Sequence, residues 1–389
     1  MAAGKLMKVL FVIPNMEGGG AERVMLNLLR HINRSRFEPH LALLETRGAY
    51  LQSLPQDVGI HDLGVSSARF AVLPIAKLCW KIRPRVILSM LAYMNSAVIA
   101  SRPLLPKPIR LLTREGTRTT TREVTRSRLR RWSYKQFYRR ADIVICQSEF
   151  MKGEMQREFG LAPEKLTRIY NPVDIDLVTQ LAREGENPFP NAGPHLLSVG
   201  RLSKEKGLDL LLRALPLIRA AIPAVQLTML GEGPLEAALK SQAGQLGLES
   251  CVRFVGFQGN PYPFLRHAQV LVLPSQYEGL PNAVLEALAL GTCVVATNCT
   301  GAVHEIAHTT LRMRIACEHT PESLSAAIRE SLAESLAAPK LSGPEPEFEA
   351  RFGMSAVMAQ YEHLLSPTAD RSPQELTAEP RSEFKFAAK

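Results

Sequence analysis

The sequence predicts an α/β chain folded as two similar domains, each built on a parallel sheet, with the two sheets facing one cleft. Three observations carry this expectation. At 389 residues the chain exceeds what one hydrophobic core usually supports. Short β-branched runs alternate with helical patterns along most of its length, the signature of parallel strands joined by crossover helices. The alternation lapses between Leu181 and His195, in Arg-Glu-Gly-Glu-Asn-Pro-Phe-Pro-Asn-Ala-Gly-Pro, which neither a helix nor a central strand can carry. The first domain is therefore set at residues 1–180, the linker at 181–195 and the second domain at 196–350.

In the first domain the runs Val9 to Ile13, Val86 to Leu88, Ile109 to Leu112 and Ile143 to Ile145 are the predicted strands. After the first run, Val24, Leu28 and Ile32 repeat every fourth residue beside Met25 and Leu29, an apolar stripe for a helix that opens at Gly20. The second series runs through a strand Leu196–Val199, a helix Gly207–Ala221, a strand Val225–Leu230, a helix after Pro234, strands Val252–Phe254 and Val270–Leu273, a helix Pro281–Leu290 and a strand Cys293–Ala296. A last helix at 351–365 is expected to pack back on the first domain. From 366 to 389 the chain, beginning Ser-Pro-Thr-Ala-Asp-Arg-Ser-Pro, holds few large apolar residues and reads as a disordered tail.

Composition narrows the function. Apolar residues make up 46% and charged residues 22%, as in packed globular domains, and the formal charge of +10 favours an anionic partner: nucleic acid, an acidic bilayer or a phosphorylated substrate. The six cysteines are scattered with no C-x-x-C pair, which fits buried reduced thiols. The short run Val9 to Ile13 ends at Pro14 without a cleavage pattern, and no uncharged stretch reaches bilayer length, so neither a secretory signal nor a transmembrane helix is expected. There is no H-E-x-x-H or clustered Cys/His spacing for a metal, and no G-x-S-x-G nucleophile elbow.

Three segments could carry chemistry. The strand Leu196–Val199 leads into Gly200-Arg201-Leu202-Ser203-Lys204-Glu205-Lys206-Gly207 before a helix; Gly200 would admit a phosphate to the backbone, and Arg201 and Lys206 are spaced to reach one pyrophosphate. The alternative is a solvated basic turn. The strand Val270–Leu273 leads into Pro274 through Asn282, placing Glu278 at the rim of a helix start, with Glu286 two turns on among Leu285, Ala287 and Leu288. A sugar or ribose diol would satisfy a carboxylate so placed, although taken alone an internal salt bridge or a plain exposed helix position accounts for it more simply. Thirdly, Glu17-Gly18-Gly19-Gly20-Ala21-Glu22 forms a glycine loop on the opposite domain, without the G-x-G-x-x-G spacing. In addition, the segment Arg110–Arg140 carries eleven Arg or Lys against Glu115 and Glu123, with arginines every fourth residue from 110 to 130. Wherever it is helical, it reads either as a membrane-surface element or as a solvated face.

Taken together, Gly18-Gly19-Gly20-Ala21-Glu22-Arg23, Ala141-Asp142-Ile143-Val144 with Ser148, Tyr170-Asn171-Pro172-Val173-Asp174, Gly200-Arg201 with Lys206-Gly207, Gly231-Glu232-Gly233-Pro234, Asn260-Pro261-Tyr262-Pro263 and Glu278-Gly279-Leu280-Pro281-Asn282 through Glu286-Ala287 resemble the retaining glycosyltransferases of family 4. The resemblance implies the GT-B fold, two Rossmann-like domains about a central cleft. It implies Arg201 and Lys206 on the donor diphosphate, Glu286 on the ribose, Glu278 on the donor sugar, and Gly19, Gly200, Gly279 and Leu280 lining the donor site. Glu278, Arg201 and Lys206 are the catalytic candidates. Where many relatives carry a histidine near the donor sugar, this chain reads Thr113-Arg114-Glu115-Gly116, so Arg114 and Glu115 are the candidates for the sugar or acceptor side. Another departure, His308 through Arg314 in place of a glycine-containing strand segment, concerns the outer wall of the donor site.

The resemblance further implies a UDP-hexose or UDP-N-acetylhexosamine donor, a lipid-linked oligosaccharide or lipopolysaccharide/O-antigen acceptor, no metal cofactor and no nucleic-acid partner. The expected location is cytoplasmic, at the inner membrane face, held to anionic lipid by Arg110–Arg140. A nucleotide-sugar epimerase or phosphorylase of the same fold is the alternative enzyme, and a basic nucleic-acid-binding protein the alternative class.

Overall fold

A computed structural model describes residues 6–116, 128–190, 193–337 and 343–366, leaving aside the side chains of 128–131 and 133. Seven strands form the first sheet: β1 (Met7–Ile13), β2 (Phe37–Leu43), β3 (Gly59–Asp62), β4 (Val86–Met90), β5 (Arg110–Arg114), β6 (Ile143–Cys146) and β7 (Leu166–Arg168), in the order β3-β2-β1-β4-β5-β6-β7. Six form the second: β8 (His195–Val199), β9 (Gln226–Leu230), β10 (Val252–Gly256), β11 (Val270–Leu273), β12 (Cys293–Thr297) and β13 (Met313–Ala316), in the order β10-β9-β8-β11-β12-β13. Every pairing is parallel. Each domain is thus doubly wound: strands are added first to one side, then the winding returns to the first strand and proceeds on the other. The reversal falls between β1 and β4 in one sheet and between β8 and β11 in the other, and there the loops at the strand ends part to leave a crevice.

The β2, β3, β7 and β13 strands were not among those expected from the sequence. Pro39 interrupts the apolar pattern of β2, yet β3 starts only opposite His40, so on that side the missing N–H lies beyond the ladder. Both β3 and β7 are too short, at 4 and 3 residues, to show a period. Within the basic segment, Arg110 and Arg114 belong to β5, a helix occupies Arg128–Tyr138, and residues 117–127 lie outside the described ones.

Apolar layers cover both faces of each sheet. The helix Gly20–His31 buries Val24, Met25, Leu28 and Leu29 against β1 and β4. The chain crosses between domains at two adjacent places, where the Val173 N–H donates to Phe352 O at 2.8 Å and Val173 bridges Gly353. Just before Gly353, Phe348 and Phe352 pack in the second domain; just after it, Val357, Met358, Tyr361, Leu364 and Leu365 of the helix Met354–Leu365 pack in the first. Burying side chains such as Val357, Met358, Leu364 and Leu365 contributes about 1.5–3 kcal/mol each, enough to strap the two domains together. Beyond Ser366, which accepts from Arg36 at 2.5 Å, the expected tail lies outside the described residues. All six cysteines are free, five of them buried and Cys317 exposed. No helix among the described residues is long and apolar enough to cross a membrane.

Candidate functional site

The second sheet supplies the first half of the site. After β8 the chain passes through Gly200 and Arg201 into a single 3-10 turn, Lys204–Lys206, and then the helix Leu208–Ala221. Gly207 joins turn to helix at φ +60, and a Cβ there would meet Pro274 O at 2.1 Å, so only glycine lets this loop lie against the one after β11. The Gln276 N–H donates to Glu205 O at 2.8 Å, and Thr297 Oγ1 donates to Ser275 O at 2.5 Å. Braced this way, the two loops bring Lys206 Nζ to 2.6 Å from Glu278 Oε1, which also accepts from Ser275 Oγ at 2.8 Å. Lys206, Glu278, Gly200 and Arg201 therefore converge at the crevice between β8 and β11, with the Arg201 side chain exposed. An anionic group entering here would meet the exposed Arg201 guanidinium and one ammonium shared with Glu278.

In this structure Glu286 is paired with a protein side chain rather than with the ribose that the resemblance implies. It lies on the helix Asn282–Ala289, 7% exposed, and its Oε1 is 2.7 Å from Nη1 of Arg23 on the opposite domain. The internal salt bridge left open by the sequence is thus present, and it spans the cleft. The Arg23 guanidinium also donates to Tyr262 Oη at 2.6 Å and, through Nη2, to Tyr50 Oη at 2.7 Å. Burial opposes the charge on Arg23, but Glu286 and the two phenols outweigh it and hold its pKa above the ordinary value. A diol reaching Glu286 would meet a carboxylate whose Oε1 is already held by Arg23.

Sequence reasoning quoted Arg23 only as the end of the glycine-loop motif. A signal was present: an arginine on the first turn of a helix, beside a glycine loop facing the cleft, runs against the helix dipole and needs a partner elsewhere. Gly19 sits directly before that helix, and Gly20 O accepts from Asn282 Nδ2 at 3.0 Å, so the glycine loop touches the helix carrying Glu286. Glu22 lies across the cleft from Arg201: burial raises its pKa, and the Arg201 charge counters that.

Arg114 and Glu115 do not line the cleft, which corrects the expectation that they form its sugar or acceptor side. Each is 1% exposed. They stand at the end of β5, which lies between β4 and β6, one strand away from the reversal. Arg114 Nε donates to Tyr361 Oη at 2.7 Å, and Nη2 donates to Asn171 Oδ1. Glu115 accepts from Asn95 Nδ2 at 2.7 Å and from the Tyr138 hydroxyl; burial raises its pKa against these hydrogen bonds. Their influence reaches the cleft through intermediaries. Asn171 Nδ2 donates to Leu280 O at 3.0 Å, while Gln147 donates to Glu115 O at 2.8 Å and accepts the Leu280 N–H at 3.1 Å. A Cβ on Gly279 would lie 2.6 Å from Gly116 O, so the loop carrying Glu278 rests directly on the end of the first domain's β5.

Glu305, which the sequence placed in no role, pins the domains on the far side. Its carboxylate accepts the N–H groups of Glu149 and Phe150 at 3.0 and 2.8 Å, capping the helix Glu149–Phe159, and the Tyr170 hydroxyl at 2.9 Å. As for the second departure noted in the sequence, His308 through Arg312 form a turn, and only Met313 and Arg314 enter β13, which pairs with β12. No group of three or more His, Cys, Asp or Glu among the described residues is placed to hold a metal ion.

Comparison with known proteins joins this geometry to a family. Residues 18–177 match the family described as Glycosyltransferase Family 4, and residues 182–342 match Glycosyl transferases group 1. An uncharacterized glycosyltransferase of Methanocaldococcus jannaschii is 34% identical over 45% of this chain, a match spanning only 44% of that protein. The N-acetylgalactosamine-N,N'-diacetylbacillosaminyl-diphospho-undecaprenol 4-alpha-N-acetylgalactosaminyltransferase of Campylobacter jejuni is 28% identical over 75% of this chain and 81% of its own length. Among solved structures, Anabaena HepE in complex with UDP and glucose superposes with a TM-score of 0.76 at 19% identity, covering 92% of this chain and 99% of HepE. That likeness is one of fold.

Proposed function

The chain belongs to the family 4 glycosyltransferases with the GT-B fold, and from that premise we propose that it transfers a hexosyl or N-acetylhexosaminyl unit from a UDP-sugar to a lipid-linked or lipopolysaccharide acceptor, with retention at the anomeric carbon. The observation that carries the reading is the meeting of Arg201, Lys206 and Glu278 at the reversal of the second sheet, where parallel sheets bind phosphorylated ligands. The Campylobacter enzyme's diphospho-undecaprenol acceptor supports a lipid-linked acceptor here, and the UDP bound to HepE supports the choice of nucleotide.

In the proposed step the bond between the sugar's anomeric carbon and the donor phosphate oxygen breaks, and its electron pair leaves with UDP. Positive character develops on the sugar while negative charge collects on the diphosphate, where Arg201 and Lys206 would stabilise it as it forms. The acceptor hydroxyl attacks the same face of the anomeric carbon and passes its proton to the departing phosphate oxygen. Glu278, held by Lys206 and Ser275, would accept from the donor sugar's hydroxyls, and Glu286 from the ribose once Arg23 withdraws. In this reading the two cations fill the electrostatic role of a divalent metal, so turnover should continue in EDTA. The acceptor is met at an anionic membrane surface on the cytoplasmic side, with the part of the basic segment beyond β5 as one contact.

Calorimetric titration with UDP and a panel of UDP-sugars tests the donor. Binding that is lost in Lys206→Ala and Arg201→Ala supports the diphosphate site, and undiminished binding removes it. Product NMR tests the stereochemistry: an inverted anomeric centre would exclude retention.

A further inference from the structure

From Leu63 to Arg114 the sequence contains no Asp or Glu, but it contains Arg69, Lys77, Lys81, Arg83, Arg85, Arg102, Lys107, Arg110 and Arg114. The structure turns part of this acid-free stretch into one face. On the helix Val72–Ile82, the residues Ile75, Ala76, Leu78, Cys79 and Ile82 are buried against the first sheet. The opposite stripe, Leu73, Lys77, Trp80 and Lys81, follows the i, i+4, i+7, i+8 spacing of a single helical face. An outward face of a globular protein normally carries charge of both signs and few large apolar groups. Here Leu73 is 63% exposed, Trp80 53%, and Phe70, in the turn just before the helix, 56%.

The aromatic groups are arranged for an interface between water and lipid. Trp80 donates its indole N–H to Leu104 O at 2.9 Å, so the ring needs no water partner and can turn its apolar edge outward. The Arg83 guanidinium lies 4.2 Å from the Trp80 ring centroid, and that of Arg69 4.7 Å from Phe70. Each exposed ring thus has a cation over it, and Lys77 and Lys81 stand on the same face. Amphipathic aromatic rings beside snorkelling cations suit the headgroup level of a bilayer, and an acid-free cationic face is complementary to anionic lipid. Beside this stripe opens a groove of about 710 Å³ whose lining includes Arg69 and Val72 and also Asn15 and Arg47, just before the glycine loop.

We propose that the face formed by Arg69, Phe70, Leu73, Lys77, Trp80, Lys81 and Arg83 docks the protein on an anionic lipid bilayer, with the adjacent groove leading from that surface toward the cleft. This deepens the membrane part of the function proposed above and moves its principal contact away from Arg110–Arg140. It does not depend on the identity of the donor.

The chain has two tryptophans, so Trp132→Phe leaves Trp80 as the sole reporter. Full-length Trp132→Phe protein is mixed with vesicles of phosphatidylcholine alone or with added phosphatidylglycerol, in each case with or without acyl-chain bromination. The expected result is a blue shift of Trp80 emission and quenching by brominated lipid, with the anionic vesicles only. Flotation then compares wild type with Lys77→Gln/Lys81→Gln. At about 1 kcal/mol per surface cation, the loss of two should weaken vesicle binding roughly 30-fold, without change in melting temperature or UDP titration.

Flotation without Trp80 quenching would place the membrane contact elsewhere and overturn the proposal, as would full binding by the double variant. Absence of vesicle binding would also overturn it and would assign the face to a protein partner instead. Failure of UDP to bind any of these preparations would count against the donor reading alone.

Discussion

On the second domain's side of the cleft, Arg201, Lys206 and Glu278 remain at the surface of the crevice; on the first domain's side, Arg114 and Glu115 are buried. Both groups follow strands of doubly wound parallel sheets, and the sequence treated both as candidates for the site. The difference is where the strand lies. The crossovers after β8 and β11 leave in opposite directions, so their loops part and the side chains face a ligand. β5 lies to one side of its sheet's reversal, and the helix Met354–Leu365 supplies Tyr361 to close over it. A charged residue at a strand end is therefore a site residue at the reversal and a scaffold residue away from it.

The largest effect that would sharpen this contrast is on turnover. Replacing Lys206 with Ala should lower kcat/KM about 10²–10³-fold, the usual consequence of losing one group that stabilises developing charge. Its urea midpoint should stay near the wild-type value, because Lys206 stands at a partly open surface. Arg114→Leu should do the reverse. It removes a buried guanidinium from Tyr361 and Asn171, leaves those groups unsatisfied and should cost about 3 kcal/mol of stability in urea unfolding. If Arg114→Leu kept full stability and lost donor turnover, the contrast would collapse.

Next in size is the salt bridge across the cleft. If Arg23 competes with a nucleotide for Glu286, Arg23→Gln should tighten UDP binding about threefold by calorimetry, since less of the protein is held in the occluded arrangement. Glu286→Gln should weaken it. Weaker binding in Arg23→Gln would instead make Arg23 a nucleotide contact.

The smallest effect concerns Glu115, whose burial raises its pKa in the folded chain. A folded-state carboxyl with a raised pKa takes up a proton before its unfolded counterpart does. Stability is thus reduced while the carboxyl is ionised at neutral pH, and it recovers as pH falls through the raised value toward the ordinary 4.5. Wild type should gain stability relative to Glu115→Gln over that window, measured by urea unfolding at a series of pH values. A constant difference would show that Glu115 does not titrate there.

Much of the second domain was legible because its elements are local. The run Val270–Leu273 is continuously apolar and alternates Val with Leu, and Gly207 and Pro281 mark a loop end and a helix cap. The helix at Gly20 was legible from its apolar stripe. The strands β2, β3 and β7 were not, since each is short or interrupted and acquires its conformation from the neighbours it pairs with. Glu305 and Asn171 escaped for a related reason. Their partners lie 135 or more and 57 or more residues away, beyond any periodic signal.

By itself, then, the sequence determined the α/β alternation and the charged and glycine residues at the ends of β8 and β11, because these follow from local propensity and spacing. Only the tertiary structure decided that Glu286 meets Arg23, that Arg114 is a strut beneath Asn171, and that Trp80 looks outward with a cation on its face. Those outcomes depend on which surfaces the fold covers, and burial of a charge or a ring is set by distant parts of the chain meeting in space.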